Sequence, residues 1–213
     1  MQRGLSQLSH TTKLGLTEIR VAGFGGQGVI LAAIVIGKAA AIFEGAYATM
    51  TQSFGPEARG GSSAAQVILS GEPILYPYVT QPDILVVMSQ EAYAVFAPQL
   101  KPGGILIVEQ DLVRIDHPPQ GVRFYGVPAT RLAEELGRKV VLNIVMVGFF
   151  AAVTHILDPD SLRKAVADSV PPAMQKLNLQ AFDKGFEYGA ELVQRMAEGG
   201  GDAEQVLTLE SEA

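Results

Sequence analysis

Gly23, Gly25 and Gly28 stand in G-x-G-x-x-G spacing within RVAGFGGQGV. That spacing lets an extended segment turn tightly into a helix, and a helix N-terminus reached this way can hold a phosphate on its outward amides. Gly26 makes the turn more permissive than the spacing requires, leaving room for a phosphate or another backbone to come close. The candidate contacts are Gly25, Gly26, Gln27 and Gly28. Two readings of the turn stay open: tight helix–strand packing alone, or an anion at the exposed amides. A dinucleotide site asks for more, an Asp or Glu about 20 residues on, at the end of the next strand, to hold the ribose hydroxyls. Here that region reads YATMTQS and Glu44 lies before it, so a nicotinamide cofactor is disfavoured.

The second constellation is TQSFGPEARGGSSAAQVILS, residues 51–70. It gathers the hydroxyls of Thr51 and Ser53, the amide of Gln52, a Gly-Pro corner, the opposite charges of Glu57 and Arg59, and the paired Gly60 and Gly61 between two strand-like runs. A loop leaving the C-terminal edge of a strand beside a glycine turn lies where open α/β sheets bind ligands. Arg59 could offer its planar fork to a phosphate or carboxylate, or pair with Glu57 or another chain. No nucleophile–base pair stands out. His10 lies in a polar start, His117 in a Pro-rich loop and His155 near a helix end, without metal-ligand spacing among them.

These groups need a scaffold, and the rest of the 213 residues reads as one. Forty-eight per cent hydrophobic and 18% charged residues make a globular balance. The net charge of -6 is concentrated at the end of the chain, where Glu198, Asp202, Glu204, Glu210 and Glu212 face no Lys or Arg. The nearly neutral body argues against nucleic-acid binding, which needs a basic face. Without cysteine there is neither a disulfide framework nor a thiolate cage for an iron–sulfur cluster. The polar start lacks the apolar core of a signal peptide. The apolar run around Asn143 to Leu157, interrupted by Asn143, Thr154 and His155, is too short for a membrane span and reads as a buried helix. A cytoplasmic location without membrane contact is the expectation.

Apolar runs at EIRVAGF, AYATMTQS, SSAAQVILS, DILVVMS, GGILIVE and RFYGVPA read as strands. GQGVILAAIVIGKAAAIF, EAYAVFAPQL and TRLAEELG read as helices between them. The fold class is α/β, a three-layer αβα sandwich around a mostly parallel, mixed sheet. NIVMVGFFAAVTHIL, DSLRKAVADSV and LNLQAFDKGFEYGAELVQRM add three helices packed on the sheet, with Asp158 as an N-cap and Pro159 at the first helical position. The expected organisation is a flexible polar segment over 1–17, one α/β domain over 18–198, and an acidic tail of disordered type over 199–213.

GFGGQGV, TQSFGPEARGGSS, PDILVVMSQEAY and KPGGILIVE, in this order and spacing, resemble the gamma subunit of the 2-oxoacid:ferredoxin oxidoreductases, most closely its 2-oxoglutarate branch. The resemblance covers roughly residues 18–192. It implies the fold of domain III of the single-chain pyruvate enzymes, and a share in the oxidative decarboxylation of a 2-oxoacid to acyl-coenzyme A. It places thiamine diphosphate, Mg and the iron–sulfur clusters on alpha and beta partner subunits, with room for a ferredoxin-like delta subunit and with ferredoxin as acceptor. This chain then assembles and shapes the active site without catalytic residues of its own or a metal. Gly25, Gly26, Gln27, Gly28, Thr51, Gln52, Ser53, Glu57, Arg59, Gly60 and Gly61 become candidates for contact with coenzyme A or a partner. Ala22, Phe24 and apolar helix faces become candidate partner surfaces, and the isolated chain could cover them by forming a homodimer. The competing reading is a stand-alone nucleotide- or acyl-coenzyme A-binding protein.

Overall fold

The computed structural model describes residues 14–54, 62–115 and 119–198. Its centre is a six-stranded sheet built from β1 (Thr17–Phe24), β2 (Tyr47–Phe54), β3 (Ser62–Ser70), β4 (Ile84–Val87), β5 (Ile105–Glu109) and β6 (Arg123–Val127). The spatial order is β2-β3-β1-β4-β5-β6. β1, β4, β5 and β6 run parallel, and β3 runs antiparallel to both of its neighbours, β1 and β2. The sheet is thus mixed, as its composition of apolar runs suggests. β4 and β5 are buried along their whole length, as expected of parallel strands covered on both faces.

Alternation along the strands sorts side chains between two unequal covers. Ile19, Val21, Val67, Ile84, Val86, Ile105 and Ile107 enter a large apolar cluster with α1 (Val29–Lys38), α3 (Ala129–Glu135), α4 (Leu142–Thr154), α5 (Pro159–Ser169) and α6 (Pro172–Glu198). Ala22, Leu85, Val87, Leu106 and Val108 enter a smaller cluster with α2 (Gln90–Phe96).

The helices explain their own sequences. α4 is apolar all round because it lies between the sheet side and α6, and every residue from Leu142 to Val153 is buried. The apolar run too short for a membrane span is therefore the central helix of the thick face. No helix among the described residues is long and apolar enough to cross a membrane. α4 stops at His155, whose left-handed φ of 52° closes the helix with a bond from its N–H to the Ala151 carbonyl. Asp158 caps α5 by accepting from the Ser161 N–H at 3.1 Å, and Pro159 takes the first helical position.

The structure adds detail at one helix end and moves one helix start. The first long helix ends at Phe43 as read from the sequence, but its last part, Ala39–Phe43, is a π turn in which the Glu44 N–H reaches the Ala39 carbonyl. α6 starts at Pro172, well before Leu177, because proline can begin a helix where its missing N–H has no intrahelical partner to lose.

Candidate functional site

The C-terminal ends of β1, β2, β4, β5 and β6 lie along one edge of the sheet, with the N-terminal end of β3 among them. Phe24 pairs with Ser62, and Ser63 pairs with both Gly23 and Phe54. The glycine turn and the Thr51–Ser53 exit therefore share this edge with one strand between them, about 10 Å at ordinary strand spacing. The structure brings Gly25, Gly26, Gln27 and Gly28 to the same rim as Thr51, Gln52 and Ser53. Glu57, Arg59, Gly60 and Gly61 lie outside the described residues, as do His10, His117 and the tail beyond Glu198.

Within the turn, Gly26 and Gly28 have φ of 95° and 74°, left-handed conformations that a side chain would strain. Gln27 braces the turn from inside. Its Oε1 accepts from the Phe24 N–H at 2.6 Å and its Nε2 donates to the Met88 carbonyl at 2.7 Å, tying the end of β1 to the exit of β4. The sequence reading offers the Gln27 backbone amide as an outward contact, whereas that N–H donates to the Phe24 carbonyl at 3.2 Å and the carboxamide also works within the chain. Gly28 is closed off by α4: Asn143 Nδ2 donates to its carbonyl at 3.2 Å, and a Cβ there would strike the Asn143 amide. Gly23 has no space either, since a Cβ would meet Gln27 Oε1, Met88 and Val29. Gly25 and Gly26 are exposed, with nothing within 4 Å of an added Cβ. The open side of the turn is therefore its crown, and it suits close approach by a phosphate or a second backbone.

The neighbouring strand ends add polar groups. Ser89, after β4, caps α2 by accepting from the Ala92 N–H. Gln90 Oε1 accepts from the Arg114 N–H at 2.8 Å. Glu109 ends β5 fully buried, and its Oε1 accepts from the Thr130 N–H at 2.9 Å while Oε2 has no partner among the described residues. Burial pushes the Glu109 carboxyl above its ordinary pKa, with Asp111 adding to the rise and the Thr130 N–H opposing it. Thr51 Oγ1 donates to Gln66 Oε1 at 3.3 Å, so Thr51 is turned toward the thinly covered face.

Sequence reasoning missed Asn143 and Glu109. Asn143 was visible only as a polar break in an apolar run, and Glu109 only as the carboxylate ending GGILIVE. Ala22, expected at a partner surface, is fully buried beneath α2, because its position in β1 points into the small cluster. Phe24 is partly buried.

The topology bears on the nucleotide question. A dinucleotide fold follows its glycine turn with a helix and an adjacent parallel strand. Here α1 crosses to β2, and β3 is inserted antiparallel between β1 and β2. The end of the second strand is moved one strand further away, and it carries Ser53 and Phe54 in place of a carboxylate.

The donor set speaks to the other groups that the resemblance implies. The chain has no cysteine to ligate a cluster, and no group of three or more His, Cys, Asp or Glu among the described residues could hold a metal ion. The glycine crown is the part of this edge that fits a phosphate-bearing group.

The family model for pyruvate ferredoxin/flavodoxin oxidoreductase matches residues 18–188. The 2-oxoglutarate synthase subunit KorC of Methanocaldococcus jannaschii is 48% identical over 177 residues, which span 82% of this chain and 95% of the relative. The gamma subunit of a keto/oxoacid ferredoxin oxidoreductase from Geobacter sulfurreducens superposes with a TM-score of 0.74 at 39% identity, covering 82% of this chain and 99% of that one. The 2-oxoglutarate:ferredoxin oxidoreductase of Magnetococcus marinus, solved with 2-oxoglutarate, coenzyme A and succinyl-CoA, superposes with a TM-score of 0.75 at 28% identity, over 84% of this chain and 31% of that chain.

Proposed function

This chain belongs to the pyruvate ferredoxin/flavodoxin oxidoreductase family, and from that premise we propose that it is the gamma subunit of a 2-oxoglutarate:ferredoxin oxidoreductase. The assembled enzyme converts 2-oxoglutarate, coenzyme A and two oxidised ferredoxins to succinyl-coenzyme A, carbon dioxide, a proton and two reduced ferredoxins. The observation that carries this reading is near-full-length identity of 48% with a 2-oxoglutarate synthase subunit.

Thiamine diphosphate with Mg, on an alpha or beta companion subunit, supplies the electron sink for decarboxylation, and clusters on companion subunits pass the electrons to ferredoxin, with or without a delta subunit. This chain contributes no catalytic residue, and the isolated chain is inactive. Its unit of structure is residues 18–198, flanked by 1–17 and 199–213, and it works in the cytoplasm. Gly25 and Gly26 present a side-chain-free crown at the seam with a companion subunit. Gln27 and Gly28 hold that crown in shape, Gln27 through Phe24 and Met88 and Gly28 through Asn143. Thr51, Gln52 and Ser53 lead from the same rim into the loop bearing Glu57, Arg59, Gly60 and Gly61. These four residues are assigned to the route of coenzyme A, where the Arg59 fork can meet a phosphate. The stand-alone nucleotide-binding alternative gains nothing from the geometry, given the inserted β3 and the absent ribose carboxylate.

The test is anaerobic purification of the tagged chain from its host, followed by coenzyme A-dependent viologen reduction with 2-oxoglutarate, pyruvate and 2-oxoisovalerate in turn. Co-elution of thiamine-binding and cluster-bearing subunits, with 2-oxoglutarate as preferred substrate, is the expected result. A chain that elutes alone and inactive overturns the reading. Within an active complex, Arg59→Ala should raise the KM for coenzyme A, and an unchanged KM removes the loop from the coenzyme A route.

A further inference from the structure

The segment between β3 and β4 has no regular structure, yet it is tied firmly across the thin face of the sheet. From Pro73 to Pro82 it reads PILYPYVTQP, without a charged residue, between Glu72 and Asp83. It leaves the end of β3 at Gly71, crosses the sheet, and returns to the start of β4. Its anchor is Val79, which is buried. The Val79 N–H donates to Gln66 Oε1 at 3.0 Å, and the Val79 carbonyl accepts from Arg20 Nη2 at 2.8 Å. Arg20 is only 3% exposed. Its guanidinium also donates to Gln99 Oε1 and lies 5.0 Å from the Phe96 ring centroid, so one buried cation links the strap to the end of α2.

A strap held this way would be expected to turn its apolar side chains inward. Leu75, Tyr76 and Tyr78 are instead 95%, 63% and 57% exposed. The two tyrosine rings pack edge to face at 5.5 Å, which presents them as one unit. Tyr47, exposed at the start of β2, stands on the same face of the sheet as Thr51 and Gln66, beside the point where the strap departs. Paired exposed tyrosines beside an exposed leucine, on an uncharged strap, give an apolar patch whose aromatic content matches that of interface centres, where charge is depleted.

The occupant follows from the two organisations found in this family. In the Geobacter protein the domain is nearly the whole chain, whereas in the Magnetococcus protein the same fold is under a third of a longer chain. A domain that makes up nearly all of one relative and is continuous with a larger body in another holds that body by a surface contact wherever the two are separate chains. We infer that the strap Pro73–Pro82 is the docking surface for the companion subunit corresponding to that remaining body, which meets Leu75, Tyr76 and Tyr78 with an uncharged apolar pocket carrying acceptors for the phenol hydroxyls. The inference rests on the subunit reading given above and specifies which face serves it.

The experiment uses the complete complex, co-expressed and purified without oxygen. Amide exchange over residues 74–81 is compared between the complex and the isolated chain, and protection in the complex is expected. A Leu75→Asp/Tyr76→Asp chain should melt with wild-type, because both side chains point into solvent, while its complex dissociates about 100-fold more readily on dilution. Val140→Asp, at an exposed position before α4 on the thick side, should leave dissociation unchanged. Unchanged exchange and unchanged dissociation in the strap variant overturn the inference while leaving the subunit reading intact. So does a strap variant that loses only self-association of the isolated chain, since the occupant is then a second copy. A wild-type chain that joins no complex overturns the subunit reading itself.

Discussion

One face of the sheet carries helices two deep, whereas the other is covered by a seven-residue helix and an irregular strap. The thick face is nearly all hydrocarbon. Its two layers touch through glycines: a Cβ on Gly148 would collide with the Phe182 carbonyl, and one on Gly185 with the Val145 carbonyl, so α4 and α6 run backbone to backbone. The thin face is pinned by polar contacts from Arg20 and Gln66 and leaves tyrosines in solvent. Hydrocarbon packing supplies stability in proportion to the area it removes from water, while a polar pin fixes position at small net gain. The difference therefore separates two tasks, with stability on one side and presentation on the other.

The largest test of that division is Gly148→Ala. Adding one methyl between α4 and α6 should cost about 3 kcal/mol or more, read as a lower midpoint in urea unfolding, since backbone on both sides leaves nothing flexible to yield. A loss within about 0.5 kcal/mol would show that the two layers are not close-packed there. Arg20→Met, on the thin face, should cost less, about 1–3 kcal/mol, by leaving the Val79 carbonyl and Gln99 without their donor. Its more telling readout is faster amide exchange over residues 74–81, and unchanged exchange there would mean the strap is held by something other than Arg20.

At the end of β5, on the thick side beside α3, Glu109→Gln should raise Tm at neutral pH. Burial raises the folded-state pKa of Glu109 above its ordinary 4.5, so the protonated acid favours the folded chain at low pH. That advantage is lost as pH climbs through the folded-state pKa. The gap in Tm between variant and wild-type should therefore open as pH rises from about 4 toward neutrality, and a gap that narrows instead would mean Glu109 is stabilised as a carboxylate. The smallest effect is expected for Arg163→Ala on the outer surface of the thick face. Its fork to Asp183 is exposed at both ends, and exposed pairs contribute about 0–1 kcal/mol.

The sequence disclosed the thick face better than the thin one, for physical reasons. Extensive burial marks a sequence with continuous apolar runs or with amphipathic periods, so the six strands, the buried helix around Phe149 and the Asp158 cap could all be read from residue types. The glycine turn and the Thr51–Ser53 exit were legible as a shared rim because the loops after parallel strands of an open α/β sheet gather along one edge. Gln27 was legible only as a residue in the turn, since its partner Met88 lies 61 positions away. The insertion of β3 between β1 and β2 leaves no mark on either strand, because hydrophobic runs do not encode their neighbours. The strap stayed silent for a related reason. It has no periodicity, and its anchor is an Arg in a strand 59 positions earlier.

That inserted strand also sets an order of events during synthesis. β1 has no adjacent partner until residues 62–70 exist to pair with it on one side and residues 84–87 on the other. β2 can bind only through β3, whose pairing with it is closed locally across residues 55–61. A nascent chain must therefore hold β1 and the apolar α1 unpaired until β3 and β4 have left the ribosome, at the entropic cost of closing the long loops between them. The helices of the thick face, from Leu142 onward, arrive after the strands they cover. Over that interval the growing chain exposes its most apolar segments, which makes the late C-terminal helices the step that ends its exposure to aggregation.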